Sequence, residues 1–101
     1  YNSTARAIKA VSDKLQVGGP VVNHPDTTWI NNFLTDTKND KIPVDYVVFH
    51  SYPQTTQPLS SFKNGIDEAI QVIESFNTKN KLNLPAFISE YASACCAPKT
   101  E

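Results

Sequence analysis

The chain lacks an excess of charge of either sign, since 9 Lys and Arg stand against 10 Asp and Glu for a formal charge of -1. So balanced a surface offers no broad field to a phosphate backbone or an anionic bilayer, and neither nucleic acid nor a membrane is an expected partner. No apolar run approaches the roughly 20 residues that span a bilayer, and Tyr1 to Arg6 carry neither the charged nor the apolar block of a secretory signal. A soluble polypeptide is expected. Cysteine is scarce: Cys95 and Cys96 are adjacent, too close to close a loop with each other without severe strain. Without spaced Cys or His companions they form neither a disulfide framework nor a zinc site, and they read as structural or incidental thiols. No metal and no cofactor is expected. Internal repeats and low-complexity stretches are absent as well.

What is present fits one small domain, for which 101 residues suffice. Asn2-Ser3-Thr4 is an N-glycosylation sequon, which fits a secreted protein. From Asn2 to Ser12, Ala5, Ile8 and either Val11 or Ser12 recur at helical spacing. Leu15 to Pro20 has the alternating start of a strand, which the Gly18-Gly19-Pro20 run is expected to end in a loop. Asp26, Thr27 or Thr28 can cap a second helix, whose stripe is Trp29, Ile30, Phe33 and Leu34 and which frays near Lys38 to Asp40. Val44 to His50 is almost continuously apolar or β-branched, the mark of a strand buried on both faces. Phe62, Ile66, Ala69, Ile70, Ile73 and Phe76 then give an amphipathic helix of about four turns. A last strand, Ala86 to Ser89, runs into Glu90 and Tyr91. Trp29 and the Phe62 to Phe76 stripe are expected to pack helix against sheet rather than to serve as sugar platforms.

The order helix, strand, helix, strand, helix, strand is that of an α/β fold with parallel strands, either an open doubly wound sheet or part of a barrel. Each strand leads, on its C-terminal side, into distinctive residues: Gly18-Gly19-Pro20, His50-Ser51-Tyr52-Pro53, and Ser89-Glu90-Tyr91. That edge is where parallel α/β folds bind ligands. A carboxylate beside buried strand residues costs several kcal/mol unless it is paired or hydrogen-bonded, so Glu90 needs either a partner or an outlet to water. His50 by itself is better explained as a core-edge histidine satisfied by a backbone group than as a ligand-binding residue.

Taken in order, Leu15 to Pro20, Trp29 to Leu34, Pro43 to Pro53 and Leu84 to Tyr91 resemble the retaining glycoside hydrolases built on (β/α)8 barrels. The closest resemblance is to glycoside hydrolase family 39, the β-xylosidase and α-L-iduronidase family. The resemblance covers nearly the whole chain, from the helix after strand four to the loop after strand seven. It implies an internal segment of a partial (β/α)8 barrel, with strands equivalent to five, six and seven, about three-eighths of a fold that usually takes about 250 residues. It further implies Glu90 as the catalytic nucleophile, His50 and Tyr52 as residues lining the sugar site, and a glycoside as substrate.

Two departures from the family pattern bear on activity. The acid/base carboxyl of the family follows an Asn at the end of strand four, and no Asn-Glu pair occurs here. Glu68 and Glu74 fall on the outer helix and Glu101 is terminal, so the isolated segment is expected to be inactive, as a fragment lacking strands one to four and eight would be. Tyr91 stands where the family commonly has Trp, which bears on substrate preference. A three-stranded arc also leaves strand edges unpaired, from which marginal stability and self-association are expected. The rival reading is a non-catalytic α/β module, binding carbohydrate or another protein and derived from a hydrolase.

Overall fold

Parallel strands need long crossovers, and the chain supplies them as helices. The computed structural model describes residues 1–52 and 58–92. Helix α1 (Asn2–Val11) leads to strand β1 (Gly18–Val22), α2 (Thr27–Asn39), β2 (Tyr46–Ser51), α3 (Leu59–Asn80) and β3 (Ala86–Tyr91). The strands form one parallel sheet in the order β1-β2-β3. Three parallel strands flanked by helices form an arc of a (β/α)8 barrel.

The core lies between β2 and the helices. Val47 and Phe49 of β2 pack with Ile30, Phe33 and Leu34 of α2 and with Ala69 and Ile73 of α3. Their alternation within β2 fixes the two faces: Val47, Phe49 and Ser51 turn to the helices, and Tyr46, Val48 and His50 turn the other way. The side away from the helices, here the open face, corresponds to the interior of a closed barrel. On it the rings of Tyr46 and Phe87 meet edge to face at 5.5 Å. Gly18 lies beneath Tyr46, and a Cβ there would come within 2.2 Å of the tyrosine ring.

Local signals account for two of the helix boundaries. Asp26 accepts a hydrogen bond from the Trp29 N–H at 2.9 Å and so caps α2. At the other end of α3, Lys81 takes a left-handed conformation, and Asn77 holds the turn by exchanging two 3.0 Å hydrogen bonds with the backbone of Leu84. Helix α3, at 22 residues, extends beyond the Phe62 to Phe76 stripe at both ends.

Two expectations are corrected and one open alternative is decided. Gly18-Gly19-Pro20 does not end β1 but begins it, pairing with Tyr46, Val47 and Val48. Pro20 sits where the register of β1 on β2 shifts, between Pro20 and Val22, a place where the ladder tolerates a missing N–H. The Gly19-Pro20 peptide is cis and Val21 has a φ of 58°. Secondly, of the two residues open for the end of the α1 face, Val11 is 81% exposed and Ser12 is half-buried, so that face runs from buried Ala5 through half-buried Ile8 to the capping Ser12. Thirdly, Trp29 is 60% exposed and does not pack α2 on the sheet, whereas Ile30, Phe33 and Leu34 do. On α3 the stripe packs as expected, with Ala69 and Ile73 buried and Ile66 and Phe76 partly buried against the core. Cys95, Cys96 and Pro53 lie outside the described residues. No described helix is long and apolar enough to cross a membrane.

Candidate functional site

The C-terminal ends of β2 and β3 bring three polar side chains together. His50 sits in β2 between buried Phe49 and buried Ser51, which fixes its backbone, and Tyr52 follows one residue beyond the strand. Glu90 lies opposite His50 in the ladder. The Tyr52 hydroxyl donates to Glu90 Oε2 at 2.5 Å, within the range of about 2.5–2.7 Å found when the acceptor is a charged carboxylate. His50 Nδ1 stands 3.4 Å from the same oxygen, beyond the usual limit of about 3.2 Å for a good N–H···O bond, so it flanks the carboxylate rather than holding it through a close hydrogen bond. The His50 and Tyr52 rings meet edge to face at 6.0 Å and 88°.

The environments of the two partners differ. The His50 side chain is 17% exposed and that of Glu90 is 56% exposed. An imidazole held by the core thus stands beside a carboxylate open to solvent, and an electrophile could reach that carboxylate from the open face without Glu90 bearing the cost of full burial. All three residues singled out in the sequence, His50, Tyr52 and Glu90, therefore meet in one place.

Three other carboxylates among the described residues, Asp26, Asp45 and Asp67, are engaged elsewhere. Asp45, to which the sequence reading gave no task, sits at the opposite end of β2. It accepts the Val17 N–H at 2.7 Å and pairs with Lys9 at 2.8 Å, while its own N–H donates to Val17 O at 2.8 Å. Burial pushes the Asp45 carboxyl up, but the Lys9 and Val17 hydrogen bonds and the Lys9 charge outweigh it and hold the group below its ordinary range. Nearby, burial and the charge of Asp45 push the Tyr1 phenol up to about 12, and its hydroxyl donates to Pro43 O at 2.7 Å. This cluster clamps β1 to β2 at the end remote from Glu90. Asp67 pairs with Lys63 along α3.

A groove of about 720 Å³ runs between α2 and α3, lined by residues such as Asn31, Lys38, Glu68 and Gln71. None of His50, Tyr52 and Glu90 lines it, so the seam between the helices and the carboxylate site are separate features. Among the described residues no group of three or more His, Cys, Asp or Glu could hold a metal ion.

Comparison with known proteins bears on the family and the fold of the chain. The family model of glycosyl hydrolases family 39 matches residues 1–100. A beta-xylosidase of Geobacillus stearothermophilus is 33% identical over 103 aligned residues, which take in 90% of this chain and 20% of that protein. Among solved structures, a glucosidase from Croceicoccus marinus superposes with a TM-score of 0.73 at 23% identity, over 100% of this chain and 21% of that one. A monomeric beta-xylosidase from Caulobacter crescentus CB15 gives 0.66 at 24% identity, over 93% and 21% respectively. The chain thus spans about a fifth of the length of these relatives. On the match over residues 1–100, this chain belongs to glycosyl hydrolases family 39.

Proposed function

We propose that this chain is the nucleophile-bearing arc of a retaining glycoside hydrolase that acts on β-xylosides or related glycosides. The observation that carries the proposal is the Glu90 carboxylate on the open face, held by the Tyr52 hydroxyl at 2.5 Å beside His50. Glu90 attacks the anomeric carbon as the bond to the leaving group breaks, through an oxocarbenium-like transition state, and forms a glycosyl-enzyme ester. Water then attacks the anomeric carbon, the ester bond breaks, and its electron pair returns to Glu90, so configuration is retained overall.

Tyr52 and His50 orient Glu90 and meet the sugar hydroxyls around it. Retention also needs an acid/base carboxyl about 5–5.5 Å from the nucleophile, to protonate the leaving oxygen and then deprotonate the water. In this proposal that group and the remaining barrel strands come from the rest of a longer enzyme. The 101-residue segment alone then turns over no glycoside, and its exposed strand edges favour self-association.

The test is Glu90→Ala in the full-length enzyme with an aryl glycoside. Turnover should fall to background and recover in part when azide takes the vacated position, giving a glycosyl azide of inverted configuration. Wild-type-like turnover by the variant removes Glu90 from the mechanism.

A further inference from the structure

Strand β3 carries one residue more than its ladder with β2 uses. Ala86, Phe87 and Ile88 pair in turn with Val47, Val48 and Phe49, but the next residue of β2, His50, is met by Glu90, so Ser89 is left over. On a regular strand, side chains an odd number of residues apart lie on opposite faces. Phe87 is on the open face, where its ring meets Tyr46. Regular alternation from Phe87 puts Ser89 on that face and turns Glu90 toward the helices, away from His50 and Tyr52. Glu90 nevertheless reaches both. Only the interrupted ladder reconciles these positions, because an inserted residue shifts every later side chain by one face and re-aims the next.

We infer that Ser89 is a positioning residue for the reaction proposed above: as the inserted residue of a bulge in β3, it puts the Glu90 carboxylate on the open face and sets its reach to Tyr52. The inference rests on Glu90 being the nucleophile. Two arrangements compete for this stretch of sequence. In the bulged one Glu90 opposes His50, and in the regular one Ser89 does. A β-branched residue at position 89 favours the regular ladder, whereas glycine tolerates the departure from it. Deleting Ser89 removes the surplus altogether, so that Glu90 follows Ile88 in a regular ladder, still opposite His50 and still on the open face.

The experiment uses the full-length enzyme carrying Ser89→Gly, Ser89→Val or a deletion of Ser89. The readouts are kcat and KM for an aryl glycoside, and the residue labelled by an activated 2-fluoro-glycoside. Ser89→Gly should keep most of the wild-type kcat. Ser89→Val should lose at least about 10²-fold in kcat, since even a misplacement of about 1 Å costs that much, with little change in KM. The deletion should still take the label on Glu90. Equal kcat for Ser89→Val and wild type overturns the inference, as does a folded deletion variant in which Glu90 takes no label. Should the deletion variant not fold, the valine and glycine variants decide between them. Label on another residue in the wild-type enzyme instead overturns the nucleophile reading, and this inference with it.

Discussion

Replacing Tyr52 by Phe removes one hydroxyl and leaves the ring that meets His50 at 6.0 Å in place. The lost contact is the 2.5 Å hydrogen bond to Glu90 Oε2. Hydrogen bonds to charged groups contribute about 1.5–3 kcal/mol, and with the Glu90 side chain 56% exposed water can replace part of this bond, so the low end applies. About 1.5 kcal/mol corresponds to roughly tenfold in rate. The two chemical steps should feel the loss unequally. In the first, Glu90 gives up its negative charge as it attacks, and a donor that stabilises that charge also restrains the attack, so gain and loss partly cancel. In the second, the charge returns to the departing carboxylate, and the Tyr52 hydroxyl stabilises it in the transition state. Hydrolysis of the glycosyl-enzyme should therefore slow about tenfold in Tyr52→Phe. With a reactive aryl glycoside, kcat and KM should fall together and a burst of phenol should precede the steady state. The assay is stopped-flow release of nitrophenol by the full-length enzyme. A variant with kcat within a factor of about two of wild type and no burst would show that Tyr52 does not act on the leaving carboxylate.

Phe49 is fully buried between the sheet and the helices, so Phe49→Ala should cost about 3–5 kcal/mol in chemical unfolding, and a loss below 1 kcal/mol would contradict the assigned core. Gly18→Ala drives a Cβ against the Tyr46 ring and should destabilise by about 1–3 kcal/mol; a double-mutant cycle with Tyr46→Ala should return most of that loss. Asp45 has a depressed folded-state pKa, so its contribution to stability is present above its unfolded pKa of about 3.9 and is lost as pH falls through the folded value. Wild type should therefore lose stability relative to Asp45→Asn as pH is lowered below about 4, and parallel stability curves at pH 3–6 would refute the clamp. Asn77→Ala leaves the Leu84 N–H and C=O without their side-chain partner and should cost about 1–3 kcal/mol, measured by thermal unfolding.

The order of elements could be read from hydrophobic spacing because helix and strand periods are properties of the local chain. Val47, Phe49, Ala69 and Ile73 occupy the core that their spacing implies. The start of β1 could not be read in this way. Gly18-Gly19-Pro20 has turn chemistry, yet Gly18 is there to admit the Tyr46 ring and Pro20 sits where the register on β2 shifts, and both facts belong to the neighbouring strand rather than to the local sequence. Trp29 has the spacing of a buried residue but lies at the margin of its helix stripe, where the partner surface decides its burial.

The candidate site shows the same division. His50, Tyr52 and Glu90 were visible as unusual residues at strand ends, and their meeting follows from parallel neighbours in sequence order. That Glu90 faces His50 at all depends on the surplus Ser89, which no periodicity reveals, since the register is fixed between strands. Asp45 was unremarked because its partners, Lys9 and Val17, lie 36 and 28 residues away in sequence and only the fold brings them together.

The most direct measurement of the central claim is to inactivate the full-length enzyme with an activated 2-fluoro-xyloside, digest it and locate the modified residue by mass spectrometry. The account predicts a single glycosyl ester on the Glu90 side chain, formed with loss of activity and released slowly as activity returns. A label on any other carboxylate, or complete inactivation with Glu90 unmodified, contradicts it.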